Sequence, residues 1–167
     1  GYYGDDFIAG GKGADAVQGH DGSDTFVFAA GDSGQTATTL DTIRDYAKGA
    51  VGTGDLISYS TALTIGGSSA AATVSQAAID QTSAVASFAA GSGATLDDAL
   101  SDIAARFTAA TDSAGELALF KVGATGSYYL FISDGVAGVT ANDVVVQLTG
   151  VTAVGKADLT GGKLTLQ

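Results

Sequence analysis

Cysteine, proline, methionine and tryptophan are all absent from this 167-residue chain. Without cysteine there is no disulfide, no thiolate metal site and no cysteine nucleophile. Bases are scarce, seven Lys and Arg standing against eighteen Asp and Glu for a formal charge of -11. A surface so acidic repels nucleic acid and anionic lipid, which excludes both as partners and leaves cations as the natural counter-charge. No apolar run approaches the roughly 18 residues of a membrane helix, and no basic segment followed by an apolar one marks a signal peptide, so a soluble chain without membrane insertion is expected. The chain does not open on methionine and its first residue falls inside a repeat, so it is expected to be the C-terminal portion of a longer protein.

What the sequence does have is a nine-residue period. Gly1-Tyr2-Tyr3-Gly4-Asp5-Asp6-Phe7-Ile8-Ala9, Gly10-Gly11-Lys12-Gly13-Ala14-Asp15-Ala16-Val17-Gln18 and Gly19-His20-Asp21-Gly22-Ser23-Asp24-Thr25-Phe26-Val27 follow one another without a gap. Each has glycine in the first and fourth places, aspartate in the sixth and a large apolar residue in the eighth. The glycines let a tight turn visit positive φ and bring carbonyls close to a shared point, and the aspartate adds a charged oxygen where that turn ends. Calcium takes about six to eight oxygen ligands, so two facing turns, each offering carbonyls and one carboxylate, can complete a shell. The last residues of each repeat make a short strand, and Ile8, Val17 and Phe26 are expected to stack inward. A flexible glycine-rich linker would not keep an apolar residue in every eighth place.

These repeats resemble the RTX family, a group with a well-known calcium-binding nonapeptide. The resemblance implies a parallel β-roll in which consecutive turns fall on alternate sides, each ion lying between a turn and the one two repeats on. It implies Asp6 and Asp24 as carboxylate ligands on one side and Asp15 on the other. The ligand set it implies is Gly1, Tyr3, Asp6, Gly10, Lys12, Asp15, Gly19, Asp21, Asp24 and Asp41. The partners of the Asp15 turn are expected in a turn upstream of residue 1 and in Phe28-Ala29-Ala30-Gly31-Asp32-Ser33, where serine replaces the sixth-place aspartate. Asp41-Thr42-Ile43-Arg44-Asp45-Tyr46 and Gly54-Asp55-Leu56-Ile57-Ser58 look like the segment that closes the roll in serralysin-type proteases, and are expected to supply strands covering its open end. Asp41 and Asp45 are candidates for a further ion, with solvated charges beside a turn as the alternative reading.

Beyond the repeats, the alanine- and serine-rich stretch 64–94 reads as a loop or a weak helix, with Val74, Ala77, Ala78, Val85 and Phe88 favouring some helix. Leu96, Ala99, Leu100, Ile103 and Phe107 predict an amphipathic helix over Thr95–Ala109, with Thr95 as its N-cap and Asp97 and Asp98 in its first turn. Leu117–Val122 and Tyr128–Ile132, joined by a Gly123-Ala124-Thr125-Gly126 turn, predict a hairpin with at least one buried strand, and Val144–Leu148 a further strand. The loop from Asp134 to Asp143 lacks EF-hand ligands in the third and fifth places and is excluded as a calcium site. Tyr129–Gly150 is similar to the C-terminal portion of secreted calcium-binding proteins, some surface-layer proteins among them. Asp158-Leu159-Thr160 to Gln167 lies where type I secretion substrates carry an export signal.

Catalytic signatures are missing. His20 is the lone histidine, placed where a left-handed backbone is expected and histidine tolerates one. Glu116, the lone glutamate, opens a predicted strand and reads as a solvated charge. No HExxH, phosphate-loop or dinucleotide pattern occurs. The expected fold is mainly β: a short parallel β-roll over 1–33, continuing into a β-rich C-terminal domain over 34–167 with one or two helices. The expected function is a non-enzymatic, calcium-folded module of a secreted bacterial cell-surface protein, of surface-layer or adhesin type. Its partners would be calcium ions, a type I secretion machinery and copies of itself in a surface assembly. The alternative makes it the tail of a secreted exoenzyme such as a serralysin-like metalloprotease or a lipase.

Overall fold

The computed structural model describes residues 2–50, 52–67, 69–73, 75–107, 112–122 and 126–167. Five short strands open the chain: β1 (Phe7–Ile8), β2 (Ala16–Val17), β3 (Thr25–Phe28), β4 (Asp41–Ile43) and β5 (Leu56–Tyr59). They alternate between two sheets. β1, β3 and β5 run parallel in one, with Ile8 beside Phe26 and Phe26 beside Ile57, while β2 and β4 run parallel in the other, with Val17 beside Ile43. The chain therefore winds as a flattened parallel coil. The strands expected to cover its end are further rungs of the same coil, because β4 and β5 keep the parallel register of β2 and β3.

The rest of the chain extends both sheets. β6 (Thr64–Ile65), β9 (Glu116–Lys121), β10 (Tyr128–Ile132) and β11 (Val144–Leu148) join the β2 sheet in the order β2-β4-β11-β10-β9-β6. β12 (Ala157–Thr160) and β13 (Lys163–Leu166) pair as a hairpin and join the β1 sheet in the order β1-β3-β5-β13-β12. Its turn is Gly161-Gly162, with φ of +62° and +74°, the pair of left-handed residues that a two-residue hairpin of matching twist demands. A separate hairpin is formed by β7 (Ala78–Ile79) and β8 (Ala86–Ser87).

Burial along β10 explains the layering. Leu130 and Ile132 belong to one apolar cluster, with Phe26, Ile43, Ile57, Leu117, Val146 and Leu164, whereas Phe131 belongs to a second, with Ile79, Leu100, Ile103, Phe107 and Phe120. Since neighbouring strand residues point to opposite faces, the six-stranded sheet is covered on both sides. β1, β3 and β5 with the β12–β13 hairpin lie over one face, and helix α1 (Leu96–Ala104) with the β7–β8 hairpin over the other. Phe26, Ile43 and Ile57 are fully buried, while Ile8 and Val17 are only partly covered at the far end of the coil, beside exposed Tyr2, Tyr3 and Phe7.

Helix α1 starts as its sequence predicts: Thr95 accepts the Asp98 N–H on its hydroxyl at 3.1 Å, with Asp97 and Asp98 in the first turn. It ends at Ala104, earlier than predicted, in tighter bonds from Arg106 to Ile103 and from Phe107 to Ala104. Thr108 and Ala109 lie outside the described residues, as do Val74 and most of the expected Gly123-Ala124-Thr125-Gly126 turn. The helix expected within 64–94 is replaced by the β7–β8 hairpin. Asp80 turns the chain there, its Oδ1 accepting the N–H groups of Thr82 and Ser83 at 2.9 and 2.7 Å, a side-chain-made turn that outcompetes the helix propensity of the alanines.

Candidate metal centre

The aspartates of the coil lie directly above one another, as the strand register requires. On one side the Asp6 N–H donates to Asp24 Oδ1 at 2.9 Å and the Asp24 N–H donates to Asp55 Oδ1 at 3.0 Å. On the other the Asp15 N–H donates to Asp41 Oδ1 at 2.8 Å. The sixth-place residue over Asp15 is therefore Asp41. Ser33, expected there from spacing, instead accepts the Asp41 N–H on its hydroxyl at 2.6 Å and donates to the Val145 carbonyl. The intervening residues loop out, so the rung recurs after an insertion. Turn 28–33 still reaches the Asp15 turn, through Gly13 N–H to Asp32 O at 3.2 Å.

The remaining candidates fall into the same stack. Tyr3 and Asp21 form a parallel bridge, and the Asp21 carbonyl accepts the Gly4 N–H at 2.8 Å. Gly22 lies so close above Gly4 that a Cβ would come within 2.3 Å of the Gly4 carbonyl oxygen. Lys12 is exposed, so a ligand from it would be its carbonyl. Gly1 lies outside the described residues. His20 takes φ +67°, the left-handed backbone expected of its place, and its ring stacks on Tyr2 at 5.2 Å. Asp45 is occupied elsewhere: its two oxygens accept the Gly19 and His20 N–H groups at 3.1 and 2.9 Å.

The first-place glycines and sixth-place aspartates explain one another. A Cβ on Gly19 would come within 2.0 Å of Asp24 Oδ2, and one on Gly10 within 2.9 Å of Asp15 Oδ2. Each glycine thus keeps open the space beside a carboxylate oxygen. That oxygen is buried and without a hydrogen-bond partner, both in Asp24 and in Asp15. Asp24 is itself 0% exposed. A buried oxygen left unpaired costs about 1–3 kcal/mol, more when charged, so two of them in the same place of successive repeats call for a partner. Hard oxygen donors, negative charge and surrounding carbonyls fit a calcium-like cation.

No family model matches the chain, and no curated protein matches it.

Charge within the stack follows from its geometry. Burial, with the Asp15 and Asp32 carboxylates close by, pushes Asp41 up to about 6 despite the bond from the Asp15 N–H. Burial likewise raises Asp55, with Asp24 and Asp45 adding to it against the bonds from Ala47 and Asp24. Among the described residues no three His, Cys, Asp or Glu side chains gather as a metal cluster. The stack sets one carboxylate per turn beside backbone carbonyls instead.

Asp55 is not among the residues that the nine-residue spacing selects. Its signal is the triplet that follows every rung: Asp6-Phe7-Ile8, Asp15-Ala16-Val17, Asp24-Thr25-Phe26, Asp41-Thr42-Ile43 and Asp55-Leu56-Ile57. Aspartate followed two places on by an inward apolar residue persists where the period does not. In the loop 134–143, the Asp143 carboxylate accepts the Asp134 and Thr140 N–H groups at 2.9 and 2.7 Å, and Thr140 donates to Asp134 at 2.9 Å. Glu116 is half-buried, with burial and neighbouring Asp112 raising its carboxyl, so it is less solvated than its sequence context implies.

Proposed function

We propose that this chain is a calcium-binding, calcium-folded module of a secreted bacterial cell-surface protein, serving folding, export and assembly without catalysing a reaction. The observation that carries the reading is the pair of buried, unpartnered oxygens, Asp24 Oδ2 and Asp15 Oδ2, each beside a glycine that leaves it room. The likeness of the three repeats to the RTX nonapeptide supports calcium as the cation.

Asp6 and Asp24, with carbonyls of Gly1, Tyr3, Gly19 and Asp21, would hold an ion on one side of the coil. Asp15 and Asp41, with carbonyls of Gly10 and Lys12, would hold one on the other. A bound cation would supply the positive charge that the rungs lack. The chain's own contribution is to align like-charged carboxylates one above another, an arrangement that opposes folding until they are neutralised. Folding and binding are then linked: the coil stays open where calcium is scarce and closes at the roughly millimolar levels typical of extracellular modules. That linkage suits a chain exported unfolded by a type I secretion machinery and folded outside the cell, where carboxylates left on its surface would join copies of it through further ions.

Calcium titration of the chain, followed by circular dichroism and light scattering, tests the reading, with Asp6→Ala/Asp24→Ala as control. Strand signal gained near millimolar calcium and lost in the control supports it, and growth in particle size supports assembly. A fold indifferent to chelator would overturn it.

A further inference from the structure

Helix α1 carries an imbalance that the coil does not explain. It holds Asp97, Asp98 and Asp102 and no base in its last turn. Asp98 and Asp102 stand one turn apart on the same face, where like charges repel. The nearest base along the chain, Arg106, does not answer them: its guanidinium donates to the carbonyls of Ala70, Ala71 and Ala77. Among the described residues no ion pair includes either aspartate.

Asp102 is the more telling of the two. It is only 7% exposed, and its Oδ2 is buried with no hydrogen-bond partner. The Ser92 hydroxyl is buried and unpartnered as well. Both residues line one cavity of about 170 Å³, together with Gly91, Asp98 and Ser101. Two orphaned oxygens from separate segments, the 91–93 loop and α1, thus share a single polar space with a second carboxylate. Gly91 and Gly93, at φ +89° and +66°, bend the loop over the helix. A Cβ on Gly93 would strike the Phe88 ring at 2.5 Å, so the loop is seated closely on its neighbour.

We propose that this cavity is a second divalent-cation site, separate from the coil, in which Asp98, Asp102 and the Ser92 hydroxyl bind calcium. The donors are all hard oxygens, two of them charged, as calcium prefers, and water completes the shell on the exposed side of Asp98. A trapped water alone would satisfy the orphaned hydrogen-bonding positions but not the charge. The site ties the 91–93 loop to α1 and so braces the helical face of the six-stranded sheet.

The test is amide NMR of the whole 15N-labelled chain, titrated with Ca²⁺ and then with Mn²⁺ as a paramagnetic probe. The amides of Ser92, Gly93 and Asp102 are expected to shift with calcium and to broaden with substoichiometric Mn²⁺. Asp102→Asn should weaken the response of Ser92 and Gly93 at least tenfold while leaving the titration curves of Gly19 and Asp24 in place. Should Asp102→Asn fail to fold, the exposed Asp98→Asn carries the same comparison. Loop amides that ignore both metals up to about 10 mM, well above the affinity range of extracellular calcium modules, would overturn the site and leave a water-filled cavity. The coil amides report separately, so a silent coil with a responsive loop would refute the coil reading alone.

Discussion

The backbone N–H of Asp6 donates to Oδ1 of Asp24, eighteen residues further on, at 2.9 Å. One oxygen of the Asp24 carboxylate thus ties two turns of the coil together, while the other, Oδ2, is buried and unpaired. The same side chain joins the rungs and leaves a charge to be answered.

Removing it should therefore show two costs. In chelator, where the coil stays open, Asp24→Ala is expected to cost little, because the bond from the Asp6 N–H is not formed there. In calcium at a hundredfold excess over the dissociation constant, the cost should rise by about 3 kcal/mol as the linkage is lost. Urea unfolding in both buffers measures the difference. Equal costs in the two would remove calcium from the account of this residue.

Two glycine substitutions separate space from backbone strain. Gly19→Ala would drive a Cβ within 2.0 Å of Asp24 Oδ2, and is expected to abolish the calcium response of that side and to cost about 1–3 kcal/mol. Gly11 has φ +82°, and a Cβ there would meet nothing within 4 Å, so Gly11→Ala should cost about 1–2 kcal/mol of backbone strain and, because folding and binding are linked, raise the calcium midpoint without abolishing the response. Calorimetric titration of both variants distinguishes them.

Phe131 is fully buried and packs edge-on against Phe107 at 5.4 Å between ring centres. It faces the helix side of the sheet, away from the coil cluster. Phe131→Ala is expected to cost about 3–5 kcal/mol, by the same amount with calcium and with chelator. A cost that changes with calcium would mean that the two cores are coupled through the sheet.

Asp143 carries a pH dependence of definite sign. Burial lifts its carboxyl from 3.8 to about 6 in the folded chain, so between those values the folded state holds a proton that the unfolded state has released. Stability in chelator should fall as pH rises from about 4 to about 6 and then level off, with a limit on the order of 2–3 kcal/mol from this group. Asp41, also raised to about 6, slopes the same way. Asp143→Asn should therefore flatten only part of the curve, read from urea unfolding at several pH values, and a curve rising over that interval would contradict the assignment.

How far the sequence alone reaches depends on whether a signal is local. The three gapless repeats are legible because turn chemistry and strand period share one register, and the start of α1 because Thr95 announces it. The fourth and fifth rungs are harder: insertions move Asp41 and Asp55 off the nine-residue spacing, and only the aspartate-x-apolar triplet persists. The 64–94 region misleads for another reason. Its alanines favour helix weakly, but Ala77, Ile79 and Ala86 are buried in the second cluster, and tertiary packing with the Asp80 turn decides in favour of strands. The β12–β13 hairpin has a readable mark, Gly161-Gly162 between Leu159-Thr160 and Lys163-Leu164, that an expectation based on position passes over. At the site, Asp6, Asp15 and Asp24 follow from the repeat, whereas the role of Asp45 as a cap on Gly19 and His20 arises from contacts between residues far apart in sequence.

The pairing of β13 with β5, through Leu164 and Ile57, sets a constraint on timing. Synthesis makes the coil first and its flanking strand more than a hundred residues later. Until Leu164 has been made, the edge of β5 has no antiparallel neighbour, and the cluster around Ile57 lacks part of its cover. A nascent chain would therefore keep this edge of β5 open until β13 arrives.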